Sequence, residues 1–253
     1  MIKILILLFV FVFVFILFFL MVEKRCTSKN HRIVCTLTTI PERVDKGRLE
    51  KTLESLDRQT LQPNIIILNI PKTTTKGQTY DMEKIQKLVK KYKNIKLNII
   101  ETDLGPITKI IPTLEFVRDI DKVVIVDDDI IYDKNIIKTL YEANLPAVGF
   151  YGRNNLIWTE NKNKTPILTD LLETYGGVMY NGDIIKDMKA DQSSICKFQD
   201  DIVIGKHLKD KNISPVLINS SHIKIKYNSD GTPQLRDSNL VGGNEVCYNY
   251  LFA

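Results

Sequence analysis

The chain has 253 residues, 44% hydrophobic and 26% charged, which supports one domain with a sizeable core and excludes a disordered polar chain. Its net charge of +5 is spread over Lys-rich stretches such as Lys84–Lys93 and gathers into no basic patch, which argues against nucleic acid as a partner. Cys26, Cys35, Cys196 and Cys247 show no CxxC or related spacing, which argues against a structural zinc site.

From Ile4 to Val22 no side chain is charged or polar, and nineteen residues at about 1.5 Å each match the ~30 Å hydrocarbon layer of a bilayer. The run passes straight into Glu23-Lys24-Arg25 with no small-residue cleavage site, so residues 1–22 read as a retained transmembrane anchor and residues 23–31 as a short stem. Lys24, Arg25, Lys29 and Arg32 follow the span, while only Lys3 and the terminal amine precede it. Taken alone, the positive-inside rule leaves the domain on the cytoplasmic side. Sequons at Asn163, Asn212 and Asn219 point weakly the other way.

The domain opens with a strand over Arg32–Leu37 that runs into Thr38-Thr39-Ile40-Pro41-Glu42-Arg43, where Pro41 holds Ile40 extended. A helix is predicted over Lys46–Leu56 and a buried strand over Asn64–Asn69, so a βαβ beginning is visible. A polar loop, Pro71–Tyr80, leads to an amphipathic helix over Asp81–Tyr92 and a third strand over Ile95–Ile100. The Gly-Pro turn at Thr102–Lys109 delivers Lys109 to the start of a helix running through Phe116. A cation there suits an anionic ligand, and an exposed lysine on a helix start is the plainer alternative.

Val123–Val126 is a β-branched run of the kind buried on both faces of a sheet, and Asp127, Asp128 and Asp129 follow it at once. Three adjacent carboxylates repel one another and resist desolvation, which a divalent cation among them would relieve. The carboxyl end of a strand is also where open α/β sheets keep their ligands. The alternative is an Asp-rich turn capping the helix predicted over Lys134–Ala143.

Ala147–Tyr151 is a further strand, ending at Gly152-Arg153, and Asn154–Thr169 reads as a long polar loop that holds the only tryptophan. Trp158 is there either a core residue or a platform for a sugar ring. The glycine pair in Tyr175-Gly176-Gly177-Val178-Met179-Tyr180 suits a backbone passing close to a ligand. Asp200 and Asp201 open a helix through Leu208, as dipole-favoured first-turn residues or as a second acidic cluster. A short strand over Ile213–Leu217, a tail at Ile223–Tyr227 and a Gly-rich end at Gly242-Gly243 complete the chain. In an oxidising compartment Cys196 and Cys247 are the candidate disulfide pair, with buried free thiols as the alternative.

A buried strand ending in carboxylates, with a second Asp pair about seventy residues later, suits transfer of a sugar from a nucleoside diphosphate. The leaving diphosphate needs neutralising charge, and the acceptor hydroxyl or an oxocarbenium-like transition state needs a separate carboxylate. The Thr-Ile-Pro-Glu-Arg loop, Val126-Asp127-Asp128-Asp129, Val148-Gly149-Phe150 followed by Arg153, and Asp200-Asp201-Ile202 together resemble glycosyltransferases of the GT-A fold. The nearest likeness is to exostosin-like N-acetylhexosaminyltransferases, with a looser one to the inverting family of chitin and cellulose synthases.

The resemblance covers nearly all of the chain after residue 31 and implies an α/β domain over residues 32–253, with a mostly parallel, Rossmann-like central sheet and helices on both faces. It implies Mn²⁺ or Mg²⁺ held by Asp129 and Asp127, with Asp127 also near the ribose and Asp128 in support. A nucleotide-sugar donor, expected to be a UDP-sugar, would contact Arg43, Thr39, Lys109 and Arg153. Asp201, with Asp200 beside it, would be the catalytic carboxylate for hexosyl or N-acetylhexosaminyl transfer to a hydroxyl of a glycan or protein acceptor. Anchored members of the class keep this domain in the Golgi or endoplasmic reticulum lumen, against the charge-flank reading.

Two alternatives remain. A nucleotidyltransferase would carry a Gly-rich phosphate loop after the first strand, and Thr38–Arg43 has no glycine. A non-catalytic carbohydrate-binding protein would have no need of Asp127, Asp129 and Asp201 together.

Overall fold

The β-branched runs form strands and the amphipathic stretches form helices in a computed structural model that describes residues 31–191, 193–228 and 243–253. The anchor, nearly all of the stem, Cys26 and Gly242 lie outside the described residues. Among the described residues no helix is long and apolar enough to cross a membrane. Arg32–Ala253 forms one unit.

Strand β1 (Ile33–Thr38) leads into α1 (Pro41–Asp45), with Pro41 in the first turn, where its missing N–H costs nothing. Gly47, at φ +67°, then ends the first turn and starts α2 (Arg48–Asp57), so the single predicted helix over 46–56 is two. β2 (Ile65–Pro71), α3 (Met82–Val89) and β3 (Ile95–Ile100) follow, and the Asp81 carboxylate caps α3 by accepting from Lys84 N at 3.0 Å. The helix expected through Phe116 is instead a pair of 3-10 turns, Gly105–Lys109 and Ile111–Phe116. Pro112 removes a backbone donor from the ladder that an α-helix from Lys109 would need.

β4 (Lys122–Ile125) and β5 (Ile130–Ile131) flank the triple aspartate, and α4 (Ile136–Ala143) comes only after them. The expected strand over 147–151 divides into β6 (Ala147–Gly149) and β7 (Tyr151–Asn154). The expected loop over 154–169 contains β8 (Ile157–Glu160) and β9 (Ile167–Leu168), with β10 (Leu171–Leu172) just beyond. Asn155 and Leu156, at φ +47° and +64°, make the two-residue turn between β7 and β8. β11 (Val178–Asn181), α5 (Gly182–Ile185), α6 (Asp200–Asp210), β12 (Val216–Leu217), β13 (Lys226–Tyr227) and α7 (Gly243–Phe252) complete the order.

Eight strands form the main sheet in the order β3-β2-β1-β4-β11-β6-β12-β9. The first four are parallel, but β11 runs antiparallel to both β4 and β6, and β9 runs antiparallel to β12. Only β11 and β9 are therefore reversed, and the sheet is mostly parallel as expected, with β11 entering from the small β10-β7-β8 sheet and not through a helical crossover. Alternation along β4 splits the core: Val124 packs with Cys35, Leu37, Leu68, Leu53 and Ile137 on one face, and Val123 and Ile125 with Ile110, Tyr180, Ile185 and Leu208 on the other. Cys196 and Cys247 form a disulfide, while Cys35 is a buried free thiol whose pKa burial pushes up to about 12.

Asp121 holds the start of β1 against the start of β4. Its carboxylate is fully buried and accepts from Arg32 Nη2 at 2.7 Å, Arg118 Nη2 at 2.7 Å and Arg118 N at 2.9 Å. Burial alone would raise its pKa, but the two guanidiniums outweigh it and the net shift is downward. A folded-state pKa below the unfolded value gives stability that is present above the unfolded pKa and lost as pH falls through the folded one. Asp121→Asn is expected to cost about 2 kcal/mol at neutral pH. The difference from wild type in urea denaturation should narrow below about pH 4.

Candidate active site

The register of the sheet decides where chemistry can gather. Thr36 of β1 lies beside Ile125 of β4, and Val178 of β11 faces the same Ile125 from the other side. The carboxyl ends of β1 and β4 thus meet the start of β11. A cavity of about 850 Å³ opens there, lined by every donor, metal and catalytic candidate that the resemblance implies, namely Thr39, Arg43, Lys109, Asp127, Asp128, Asp129, Arg153, Asp200 and Asp201, but not by the Gly176-Gly177 pair.

Four buried groups hold the triple aspartate in place. The Thr52 hydroxyl lies 2.8 Å from Asp128 O and 2.9 Å from Ile130 O. Tyr132 Oη accepts from Asp127 N at 2.8 Å and donates to Tyr175 O at 3.0 Å, while Ser55 Oγ accepts from Tyr132 N at 3.1 Å. From the C-terminal part of the chain, Asn228 N donates to Asp129 O at 2.8 Å. None of the three aspartates caps α4, whose N-cap is Asn135, so the plain turn reading does not hold.

Two cations stand among the carboxylates. Arg43 donates through Nη1 to Asp128 Oδ1 and through Nη2 to Asp129 Oδ2 at 2.7 Å. Lys109, only 5% exposed, donates to Asp127 Oδ1, to Asp200 Oδ2 at 2.9 Å and to Thr174 Oγ1 at 3.0 Å. The exposed-lysine reading therefore fails. A buried polar knot fixes its backbone: Thr36 Oγ1 donates to Lys109 O, and Asn69 Nδ2 reaches Lys109 O at 3.2 Å and Thr113 Oγ1 at 2.9 Å.

Burial by itself would lower the pKa of both cations. The surrounding aspartates reverse that for Arg43 and for Lys109, and both move up. Among the acids, burial pushes Asp129 up to about 6 despite the opposing Arg43 charge. Burial, followed by the neighbouring Asp200 charge, pushes Asp201 well above the carboxylate range. Asp200 and Asp201 begin α6 behind the N-cap Gln199, yet both face the cavity: Asp200 pairs with Lys109, and Asp201 Oδ1 accepts from Thr174 N at 3.1 Å. They form a second acidic cluster.

Arg153 stands apart from the triple aspartate and binds Glu173. Glu173, Thr174, Tyr132 and Thr52 escaped the sequence reading. Glu173 and Thr174 immediately precede the Gly176-Gly177 pair already singled out, and that proximity was the available signal; Thr52 and Tyr132 look like ordinary helix and strand residues.

Carboxylate oxygens at a strand end suit a hard divalent cation, and the Asp128 Oδ2 atom is buried with no hydrogen-bond partner. Among the described residues no group of three His, Cys, Asp or Glu is arranged to hold a metal ion. One or two carboxylates completed by substrate phosphates and water is the usual arrangement for Mg²⁺, so the donor set fits an ion that arrives with a diphosphate.

Removing Arg43 leaves two largely buried carboxylates without their cation. Arg43→Ala is expected to destabilise the fold by about 3 kcal/mol, the low end for breaking a buried pair because Arg43 keeps some solvent contact. A fall in Tm of several degrees checks it, and an unchanged Tm would show that the pair does not organise the site.

No protein-family profile matches the chain, and no curated protein matches it either. Among solved structures it is similar to S. aureus TarS 1–349 in complex with UDP, at a TM-score of 0.51 and 16% identity over 76% of this chain and 59% of that one. A second crystal structure of TarS 1–349 gives a TM-score of 0.52 at 15% identity with the same coverage. The chain spans 59% of the length of that TarS chain, and the likeness establishes a shared fold, mixed α/β around a large central sheet.

Proposed function

We propose that the chain is a glycosyltransferase that moves a hexosyl or N-acetylhexosaminyl group from a nucleotide-sugar, a UDP-sugar by preference, to an acceptor hydroxyl. The observation that carries this reading is the convergence of Asp127–Asp129 and Asp200–Asp201 on one cavity, bridged by Lys109. The fold shared with a TarS crystal structure containing UDP supports it. Asp127 and Asp129 would hold Mn²⁺ or Mg²⁺, which when bound supplies neutralising charge to the diphosphate.

The chain's own residues divide the remaining work. Thr39 and Arg43 flank the donor's nucleotide end, and Lys109 faces the diphosphate from a fixed backbone. Asp201 faces the acceptor. As the acceptor oxygen bonds to the anomeric carbon, the bond from that carbon to the diphosphate oxygen breaks and its electron pair leaves with the diphosphate. Asp201, held toward the cavity by the Thr174 N–H, takes the acceptor's proton, and its upward shift makes it a stronger base than an exposed carboxylate. Asp200, paired with Lys109, keeps the first turn of α6 in register with the cavity.

The test is thermal shift with a panel of nucleoside diphosphates and nucleotide-sugars, in Mn²⁺ and in EDTA. UDP is expected to stabilise the chain in Mn²⁺ alone; no stabilisation by any nucleotide would overturn the donor site. Asp201→Asn should retain that stabilisation and lose about 10²- to 10⁴-fold in turnover, and near-normal turnover would move the base elsewhere. The apolar run over 4–22 is proposed as a retained anchor with the domain in the lumen. Protease added to sealed vesicles should then leave residues 32–253 intact, and ready digestion would reverse the orientation.

A further inference from the structure

Four aromatic rings that this reaction does not use stand in a row along one wall of the cavity. Tyr151 stacks on Trp158 with centroids 6.1 Å apart and on Tyr175 at 5.4 Å, and Tyr175 meets Tyr227 at 5.8 Å. Trp158, Tyr175 and Tyr227 line the cavity, while Tyr151 is buried against them. Trp158 and Tyr227 keep 51% and 52% of their surface exposed, so the core reading of the only tryptophan does not hold.

Trp158 is nevertheless held firmly. Its indole N–H donates to Tyr175 Oη at 3.2 Å, Tyr151 stacks against its ring, and the two-residue turn at 155–156 holds its strand. A ring fixed in this way with surface still open loses little freedom when something flat settles on it. Hydrogen-bonding groups border the row. Arg153 is the cross-strand neighbour of Trp158 and binds Glu173, whose charge is felt at Asp201. The row therefore begins one ion pair away from the proposed base.

A ligand that matches such a wall has an apolar face and a polar edge. A nucleobase and a pyranose ring both qualify, and the topology separates them. The segments carrying Thr39, Arg43, Thr74, Gln78 and Asp103 follow β1, β2 and β3, which lie on one side of β4 in the sheet, whereas Trp158 and Tyr175 follow β7 and precede β11 on the other. The nucleotide half is thus already provided for. We infer that Trp158, with Tyr175 and Tyr227, binds a pyranose ring of the acceptor, which makes the acceptor a saccharide and not a bare protein side chain. This inference rests on the transferase reading of the aspartates.

The single tryptophan makes the site directly observable. The full-length chain, kept in a detergent without a sugar headgroup, is titrated with free oligosaccharides built from glucose, galactose, mannose, xylose and N-acetylglucosamine while its emission is recorded. At least one should shift the emission to shorter wavelength, saturably. Calorimetry should then show Trp158→Ala weakening that oligosaccharide about tenfold, with Trp158→Phe recovering most of the loss. Stabilisation by UDP in Mn²⁺ should persist in both variants, which shows that they are folded. If UDP stabilises the chain and no oligosaccharide moves the emission, or if Trp158→Ala binds as tightly as wild type, the subsite is overturned and the donor site stands. If a saccharide moves the emission and UDP does nothing, saccharide binding at Trp158 stands, while the transferase reading falls and the acceptor assignment with it.

Discussion

Everything in the cavity depends on how five aspartates are kept together with two cations. Were all ionised, three negative charges would remain uncompensated after Arg43 and Lys109 are counted. Burial is the main cause of the upward shifts of Asp129 and Asp201, and the neighbouring carboxylates add to it. The division of labour between the cations is unequal. Arg43 grips two neighbouring aspartates with a planar fork, whereas Lys109 is a point charge between clusters that are distant in sequence. A diphosphate entering without a counter-ion would add to the excess. Proposed metal dependence and the spacing of the aspartates thus have one electrostatic origin.

Much of this arrangement could be read from local sequence. The run Val123–Val126 announces a buried strand, and a strand buried on both faces leaves its next residues at the sheet's edge, so Asp127 had to emerge at a ligand-binding position. Lys109 was legible as a cation near that edge, but its burial was not. That burial depends on Thr36, Asn69 and Thr113, which come from three separate segments and look like ordinary strand and turn residues. The hairpin of β7 and β8 was missed because its turn is Asn155-Leu156, which lacks the glycine that usually marks two positive φ values. Apolar periodicity predicts a helix through Phe116, but Pro112 falls inside it and interrupts its ladder, and two 3-10 turns form instead. Antiparallel β11 was beyond local reading, since its partners lie far away in the chain.

The mixed sheet also gives the cavity two unlike walls. Parallel strands β1 to β3 end in loops rich in small polar residues, suited to hydrogen bonding along an extended ligand. The small β10-β7-β8 sheet contributes a short antiparallel hairpin, and hairpins present side chains at fixed alternating positions with little backbone freedom. Polar adaptability on one side and rigid aromatic surface on the other follow from strand direction as much as from residue choice.

The tie between Asn228 and the triple aspartate has a kinetic consequence. Asn228 N holds Asp129 O, its side chain reaches Arg48 O across 180 residues of sequence, and β13 beside it pairs with β5. A turn braced from both ends of the domain cannot reach its final shape until the C-terminal part has docked. Contacts of such long sequence separation form late and slowly. During synthesis Asp127–Asp129 emerge well before Asn228, so this brace on the turn is absent until the C-terminal part arrives. The desolvation penalty for bringing five carboxylates together is then met only when the packing that offsets it is already in place.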